Sequence, residues 1–515
     1  MTVDTEKFRL RAFLEAMAED GEVEVVDEQT PLSTIAARLE GNTRATWFHK
    51  AGPEGQELAG NVMGSRRRLA KSLGVPEPEL LSEVTTRLRA PKEPVEIDGA
   101  QAPVQTVVLR DRDADLTTLP VHLQHGEDGA PYISATLDFS LDHKTGHTNV
   151  GMRRLMLRGR QDAGIDLNAP SDLRVMYGNS HECGTQLPIA FGVGFHPADA
   201  IAALSMTPPI NELALIGAVR NEPVPVVKCV TNDLRVPADA EYIIEGYIDA
   251  EGWNQPEGPY GEYVGYYGRL KQNPIFHLTA ITHREDAVFQ TATIGGRNMA
   301  TTDTAQLCAL RSEQAIWMSL ENAVREPVSV YCPPATGGMY NARISINQRM
   351  PGEAHNAIAA ALSSTADTKH VFVVDPDVDI FNDDQMEWAL ATRFQSDRDL
   401  MTSNGYRAVP LDPSLAGERS GAKAGFDLTR PFGEGESQEW KIPDPPTFRQ
   451  TSKTTVEEAL KQGAKYFREL MDATGSEDGR EIVRELESFY AAGRLTRLDD
   501  GRYVLDSCLM LCPDL

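Results

Sequence analysis

Two patterns of apolar residues follow one another along this chain and restrict the folds that it can adopt. From about residue 132 to residue 296, apolar and polar residues alternate, as at Leu137, Phe139 and Leu141, and the segment 142–146 predicts a turn. Beyond Pro327 the pattern changes to short apolar strands that alternate with amphipathic helices. We therefore predict an antiparallel sheet or barrel in the middle of the chain, followed by a layered α/β domain.

The two ends of the chain have different patterns. Apolar residues between Phe8 and Met17 recur at helical spacing, and alternation at Val23 and Val25 predicts a strand, so the chain opens with a small α/β domain. Near the other end, the capping box Thr455–Glu458 predicts the first of two terminal helices. At about 150 residues per domain, the length of 515 residues predicts roughly three domains. We place them at 1–115, 116–325 and 326–515.

Charge and composition exclude several classes of function. The formal charge is −26, so phosphate surfaces repel the chain and general affinity for nucleic acid or anionic lipid is not expected. The sequence has neither a secretory signal nor the roughly 18 uncharged apolar residues that a spanning helix needs. Its six cysteines form no CxxC pair, which is typical of a reducing compartment. We expect a cytoplasmic protein that acts on a small molecule.

The densest chemical signal is the segment 256–267, which places Glu257 and Glu262 among three glycines and four tyrosines. Aromatic walls lower the local dielectric and favour a protonated carboxyl group, so one glutamate could act as a proton donor. A glycine-rich surface hairpin with solvated glutamates would have the same composition. The residues alone leave both interpretations open.

Two further segments carry polar residues that suit ligand binding. Asn149, Arg153 and Arg154 lie near the end of a predicted hairpin, and Glu212 begins an apolar run. An amide or carboxylate oxygen can bind a hard cation, and arginine pairs with carboxylate or phosphate. Adjacent arginines in a strand point to opposite faces, so Arg153 and Arg154 cannot both face one pocket. The aspartates of the segment 375–379 do not match a calcium-binding EF-hand loop, which needs a glycine and a glutamate at fixed positions.

Taken in order, these segments resemble the UbiD family of decarboxylases, which use prenylated flavin mononucleotide (FMN). The resemblance runs through eight segments, at 10–23, 60–70, 149–154, 212–217, 236–246, 257–267, 373–379 and 388–393. It implies a multidomain α+β and α/β fold with an N-terminal α/β domain, a central split β-barrel that binds the flavin, and a C-terminal α/β dimerisation domain with terminal helices.

The resemblance also implies roles for residues. Arg154, Glu257 and Glu262 would act together against the flavin, with Arg154 holding Glu257 ionised and positioning the cofactor, while Glu262 protonates the carbon that loses carbon dioxide. An electron sink is required because no amino-acid side chain delocalises the electron pair that decarboxylation leaves. The family supplies that sink as prenylated FMN.

A divalent metal, commonly manganese, and potassium hold the flavin phosphate in this family. Asn149 and Glu212 match two ligands of the family's asparagine, histidine and glutamate set. The histidine position falls at Asp172, which would make the site all-oxygen and favour manganese or magnesium. Alternatively His181, nine residues later, is the ligand. The other cofactor-binding residues that we predict are Met152, Arg153 and Lys369, and Arg153 could instead affect only packing or reach a charged substrate.

We therefore expect a reversible decarboxylase of an aromatic, heteroaromatic or α,β-unsaturated carboxylic acid. It would form a homodimer or higher homo-oligomer and depend on a separate flavin prenyltransferase for its cofactor. Two alternatives are a metal-dependent hydrolase that uses Glu257 and Glu262 as general acid and base, and a non-catalytic subunit of a carboxylase complex.

Overall fold

The structure is a computed structural model and describes residues 3–205, 210–433, 437–449 and 453–506. The chain divides into two compact units, Met1–Thr429 and Arg430–Leu515. This division falls inside the third predicted domain, and the three predicted domain boundaries remain a prediction. Cys508 and Cys512 lie outside the described residues, while the four described cysteines are free thiols.

The amino-terminal part of the first unit has the predicted α/β character. One face of its first helix buries Leu10, Phe13, Leu14 and Met17, the residues whose spacing predicted it. Its elements are α1 (Leu10–Glu19), β1 (Val23–Val26), α2 (Leu32–Leu39), β2 (Ala45–Ala51), β3 (Gln56–Gly60), α3 (Arg66–Ser72) and α4 (Leu80–Leu88).

The middle of the first unit is dominated by strands, as the alternating pattern predicts. Its elements are β4 (Val95–Glu96), β5 (Val107–Arg110), β6 (Tyr132–Leu141), β7 (Thr148–Leu157), β8 (Asp162–Ile165), α5 (Asp172–Glu182), β9 (Leu187–Val193), α6 (Pro197–Leu204), α7 (Glu212–Arg220), β10 (Pro225–Lys228), β11 (Arg235–Pro237), β12 (Tyr242–Ile248), β13 (Gln255–Glu257), β14 (Tyr260–Gly261), β15 (Tyr267–Gly268), β16 (Lys271–Asn273), β17 (Ile275–His283) and β18 (Val288–Thr291).

Six of these strands close into an antiparallel barrel. Their order is β12, β9, β6, β7, β8 and β17, and β17 pairs again with β12, so the ring has no open edge. Phe191 of β9 and Phe276 of β17 belong to one buried cluster with Leu155 of β7, and their rings meet edge to face at 5.1 Å. The predicted barrel is confirmed.

One strand of the middle region joins the amino-terminal sheet. β18 lies beside β3 in parallel, which completes the order β1, β2, β3 and β18. Because this pairing joins residues more than 200 positions apart, the local pattern around Val288 carries no signal of it.

The rest of the first unit is a layered α/β sheet in the order β19, β20, β21, β23 and β22. The helix α9 packs against β21 and β23. The elements are α8 (Asp303–Leu320), β19 (Pro327–Tyr331), β20 (Asn341–Ile346), α9 (Glu353–Ser363), β21 (His370–Val374), α10 (Asp383–Arg393), β22 (Leu400–Arg407) and β23 (Ser420–Asp427).

The second unit has its own small hydrophobic core. It contains α11 (Val456–Lys461), α12 (Phe467–Thr474), α13 (Arg480–Ala491), β24 (Leu495–Arg497) and β25 (Tyr503–Leu505). The predicted capping box at Thr455 is present, but the expectation of two helices is wrong, because Gly463 follows the end of α11 and a further helix precedes α13. Lys465, between α11 and α12, forms an isolated antiparallel bridge with Tyr503 of β25.

The exposed surface of α13 carries charges of both signs, from three glutamates (Glu481, Glu485 and Glu487) and two arginines (Arg480 and Arg484). A helix that enters a nucleic-acid groove needs an excess of positive charge against phosphate, and these exposed residues provide none. Within the described ranges, no helix combines the length and apolarity that crossing a bilayer requires.

Candidate active site

A single guanidinium group on a barrel strand contacts three carboxylates. Arg154 lies on β7, and its Nε is 3.2 Å from Glu257 Oε1, its Nη1 3.2 Å from Glu262 Oε2 and its Nη2 3.1 Å from Asp166 Oδ2. The side chains of Glu257 and Glu262 are almost fully buried. Burial of several charges is tolerated only where each has a close partner of opposite sign. The structure therefore brings together the three residues that were predicted to be catalytic.

Two short antiparallel pairs place the glutamates around Arg154. Glu257 ends β13, which pairs with β16 so that Glu257 lies opposite Lys271. Glu262 follows β14, and its backbone N–H donates to Tyr266 O in the turn to β15. A Cβ at Gly268 would lie 2.7 Å from Glu262 Oε1. The glycine in this segment thus leaves the space that the Glu262 carboxyl group occupies, which excludes the solvated surface hairpin as an interpretation of Glu257 and Glu262.

Aromatic rings form one wall of the site. The Arg154 guanidinium carbon lies 4.3 Å from the ring centre of Tyr260 and 5.9 Å from that of Tyr132. Such stacking is favourable where water is excluded. The Tyr260 hydroxyl donates to Gln124 Oε1 at 2.7 Å, and burial raises the pKa of this phenol well above its usual value. Tyr260 is therefore neutral, and its hydrogen bond fixes the ring on which the Arg154 guanidinium stacks.

Two charged residues of this cluster were not predicted from the sequence. Asp166 follows β8, and its Oδ2 is 2.7 Å from Lys271 Nζ. Burial alone would raise the pKa of Asp166, but Arg154 and Lys271 outweigh it and hold this pKa well below its usual range. Asn273, on the same strand as Lys271, lies with its Nδ2 3.4 Å from Glu257 Oε2. The spacing of Lys271 and Asn273, two residues apart on one strand, is the only sequence signal that links them.

A second group of polar residues lies near the start of β7, and we call it the Glu212 cluster. Glu212 begins α7, and its carboxylate accepts a hydrogen bond from the backbone N–H of Val150, the residue after Asn149. Asp172 begins α5, and its charge acts on Glu212. Burial raises the pKa of Glu212 to about 7, and the neighbouring carboxylates of Asp138 and Asp172 add to this shift. Glu212 thus contacts the backbone next to Asn149, and Asp172 adds to the negative charge around it.

Comparisons with known proteins identify the family. Models of the three domains of 3-octaprenyl-4-hydroxybenzoate carboxy-lyase match this chain: the N-terminal domain at residues 14–88, the Rift-related domain at 95–298 and the C-terminal domain at 306–428. The chain belongs to the UbiD family. The predictions of this family, of its fold and of a carboxy-lyase are confirmed. The family models end at residue 428, so the second unit lies outside them.

The relatives of this UbiD protein include decarboxylases. The anhydromevalonate phosphate decarboxylase of Methanosarcina mazei is 31% identical over 438 residues, which are 84% of this chain and 98% of the relative. The structure of the UbiD-class enzyme HmfF from Pelotomaculum thermopropionicum in complex with FMN matches with a TM-score of 0.80 and 31% identity, over 85% of this chain and 97% of that one. Vanillic acid decarboxylase from Sedimentibacter hydroxybenzoicus matches with a TM-score of 0.76 and 27% identity, over 93% and 98%.

The two predicted alternatives for a third metal ligand of this UbiD protein lie in different turns of α5. His181 lies in the last turn of α5, nine residues after Asp172, and helices rise about 1.5 Å per residue, so the two are roughly 13 Å apart along the axis. The His181 ring packs against Tyr177 and Trp253, and its Nδ1 lies 2.7 Å from Ala250 O. Which of the two residues binds the metal stays a prediction.

Arg153 points away from Arg154, as strand geometry predicts. Its Nε is 3.4 Å from Asp138 Oδ2, and its charge acts on Glu212. Asp138 is fully buried, and burial raises its pKa. Neither Asp138 oxygen accepts a hydrogen bond within the described residues. Arg153 thus belongs to the Glu212 cluster, whereas Met152 packs partly buried against the larger hydrophobic core.

Lys369 lies in the α/β sheet region, directly before β21. Its Nζ is 2.8 Å from Asp412 Oδ2 and 2.6 Å from Ser414 Oγ. In the described part of the chain, its ion pair is with Asp412, and none of its polar contacts is with the other predicted site residues. The predicted contact of Lys369 with a phosphate therefore stays a prediction.

Proposed function

We propose that this protein is a prenylated-FMN-dependent decarboxylase of an aromatic, heteroaromatic or α,β-unsaturated carboxylic acid, and that the reaction is reversible. The observation that carries the proposal is the convergence of Glu257 and Glu262 on Arg154, at 3.2 Å each, in a chain of a carboxy-lyase family. Solved relatives hold FMN or prenylated FMN, and the named acids of other relatives are 3,4-dihydroxybenzoic and vanillic acid.

Each charged group has a separate task in this proposal. Arg154 orients both glutamates through direct contacts with their carboxyl groups. Glu262, held on the other side of the guanidinium, carries the proton that replaces the lost carboxyl group on the substrate carbon. Their near-complete burial keeps bulk water from competing for that carbon. When bound, prenylated FMN supplies the electron sink that no side chain provides.

The residues around Glu212 fit a hard divalent cation. Asn149 contributes an amide oxygen, and Asp172 and Glu212 contribute carboxylates, which suits manganese or magnesium. In the described part of the chain, no three histidine, cysteine, aspartate or glutamate side chains form a metal-binding group by themselves, so the Asn149 oxygen is needed. Asp138 lies buried beside this cluster, and it pairs with Arg153, whose Nε is 3.4 Å from Asp138 Oδ2. We propose that this metal, together with potassium, holds the flavin phosphate, with Met152, Arg153, Arg154 and Lys369 as further cofactor contacts.

The partners follow from the same proposal. A separate flavin prenyltransferase must supply the cofactor, and protein made without that enzyme is expected to be isolated without it. We propose a cytoplasmic homodimer or higher homo-oligomer; a relative has been solved in an evolved dimeric form. Membership of a carboxy-lyase family favours decarboxylation over the hydrolase alternative, and an intact set of Arg154, Glu257 and Glu262 favours an enzyme over a non-catalytic subunit.

The test compares protein made with and without a co-expressed flavin prenyltransferase. Both preparations are incubated with a panel of aromatic and α,β-unsaturated acids, and released carbon dioxide and exchange of deuterium into the products are measured. We expect release only from the protein that shows a flavin absorption band. Equal release from the colourless protein, or none from the flavin-loaded protein across the whole panel, would contradict the proposal.

A further inference from the structure

Lys271 is a second cation beside the proposed proton donor. Its Nζ lies 3.5 Å from Glu262 Oε1 and 2.7 Å from Asp166 Oδ2. The Lys271 side chain keeps 23% of its surface exposed, against 3% for Glu262 and 14% for Asp166. Lys271 is therefore the member of the cluster that is most open to solvent. It contacts the buried proposed donor Glu262 on one side and the Asp166 carboxylate on the other.

The two oxygens of Glu262 face different cations. Oε2 lies 3.2 Å from Arg154 Nη1, whereas Oε1 faces Lys271. Glu262 also interacts with the buried phenols of Tyr260 and Tyr263. Burial raises the pKa of both phenols, so they stay neutral. The charges around Glu262 therefore come from Arg154, Lys271 and the carboxylates that these two cations contact.

The charges of the cluster leave room for one proton. Arg154 and Lys271 carry two positive charges, and Asp166, Glu257 and Glu262 carry three negative charges when all are ionised. One bound proton makes this buried set neutral, which is the favoured state where water is scarce. Asp166 holds its ionised form most strongly, because Arg154 and Lys271 keep its pKa well below the usual range. Asp166 is therefore the carboxylate of this set that is least suited to carry the proton.

We infer that Lys271, held in place by Asp166, is a positioning residue that acts with Arg154 to orient Glu262 and to set how readily its carboxyl group gives up a proton. The inference rests on the proposed function, in which Glu262 is the donor. It assigns a role to two residues outside the set of Arg154, Glu257 and Glu262. Their chemistry is that of a Lys–Asp pair that acts on a neighbouring carboxyl group.

The inference predicts shifts of opposite sign for the two residues. Removing the Lys271 charge takes a cation away from Glu262, which favours its protonated form and raises its pKa. Removing the Asp166 charge takes an anion away and frees both cations to act on Glu262, which lowers this pKa. Decarboxylation needs protonated Glu262, so the activity is lost as the pH rises through this pKa.

The experiment measures kcat against pH for the flavin-loaded wild type and the variants Lys271→Met and Asp166→Asn. The alkaline limb of this profile is the pH range in which kcat falls as the pH rises. We expect its midpoint to move up by about one pH unit in Lys271→Met and down by about one pH unit in Asp166→Asn. A shift of this size is what one charged neighbour within about 4–6 Å produces. Lys271→Arg keeps the charge and should keep the limb. A loss of packing alone would lower kcat without moving the limb in opposite directions.

A second readout needs no cofactor. Infrared difference titration of the cofactor-free protein follows the carboxyl band that is missing in Glu262→Gln, and its midpoint should shift in the same two directions. If Lys271→Met is poorly folded, Lys271→Gln takes its place. The matched control is Lys228→Met, which removes an exposed ion pair with Asp233 on another sheet and should leave both readouts unchanged.

Two failures are distinguishable. Limbs and band midpoints that stay in place in both variants, while Glu262→Gln is inactive, would overturn the role of Lys271 and Asp166 and leave the proposed function standing. Full activity of Glu262→Gln would instead overturn the proposed function itself.

Discussion

The Glu262 carboxylate lies 3.2 Å from the guanidinium of Arg154, although 108 residues separate them in the sequence. Arg154 is on a strand of the closed barrel, and Glu262 is in a turn between two-residue strands that the barrel does not include. The contact therefore depends on the folded barrel together with a glycine-rich turn, and it is the geometry on which the proposed chemistry rests.

The shape of the Arg154 side chain, beyond its charge, is predicted to be required. Arg154→Lys keeps one positive charge but cannot place three nitrogens against Glu257, Glu262 and Asp166. We expect kcat for carbon dioxide release to fall at least about 100-fold, the loss typical of removing an oriented charged donor. Arg38→Lys, at an exposed ion pair, is the matched control and should keep wild-type kcat. Wild-type activity of Arg154→Lys would show that the fork geometry is not used.

The metal prediction distinguishes Asp172 from His181. Asp172→Ala should lower the affinity for manganese at least about 10-fold, since changing even an outer-shell partner of a metal site costs about 10- to 100-fold. His181→Ala should leave the affinity unchanged, because His181 lies at the far end of its helix. Asp172→His should raise the preference for zinc, since imidazole suits zinc better than carboxylate does. Calorimetric titration with manganese checks the predicted affinities, and metal content after dialysis checks the predicted preference for zinc. Loss of manganese from His181→Ala with retention in Asp172→Ala would reverse the assignment.

Arg153 is predicted to balance the buried Asp138 carboxylate. Arg153→Met leaves this carboxylate without its cation and should lower the free energy of unfolding by about 3 kcal/mol. Adding Asp138→Asn removes the unpaired charge, so the double variant should recover most of that loss. Urea denaturation of the four proteins in the cycle measures the coupling. Independent, additive effects of the two substitutions would mean that the pair contributes no stability.

The pH dependence of stability is predicted to report on His196. Burial and the charge of Arg220 lower the pKa of His196 to about 3, and its Nδ1 accepts the Ala198 N–H at 3.3 Å at the start of α6. The unfolded chain binds a proton near pH 6.5, so this contribution is present above pH 6.5 and is lost as the pH falls towards 3. Between pH 7 and pH 5 the wild type should lose about 2 kcal/mol of unfolding free energy relative to His196→Asn, which keeps a neutral cap. If the free energy of unfolding changed equally with pH in the wild type and in His196→Asn, the prediction would be contradicted.

Much of the fold was predictable because local patterns determine single elements. The spacing of Leu10, Leu14 and Met17 predicts α1, and the reciprocal bonds of the capping box fix the start of α11. The barrel follows from alternation on its strands. The pairing of β18 with β3 was not predictable, since the two strands lie far apart in the sequence. The local pattern of each strand gives no information about which strand it pairs with.

The site was predictable in part for the same reason. Arg154, Glu257 and Glu262 stand in segments with a distinctive composition, and the structure brings them together. Asp166 and Lys271 stand in ordinary segments and join the cluster only because β16 pairs with β13 and β8 lies beside β7. A charged residue that acts through a partner 105 positions away leaves no local signal.

The most direct test of the account replaces the proposed proton donor. Glu262→Gln keeps the shape and the contact with Arg154 but carries no transferable proton, so flavin-loaded protein should retain its absorption band and its metal while carbon dioxide release falls about 100- to 10,000-fold. Glu458→Gln, at the capping box of the second unit, is the control and should keep wild-type release. Release at the wild-type rate by flavin-loaded Glu262→Gln would contradict the central claim that Glu262 protonates the product.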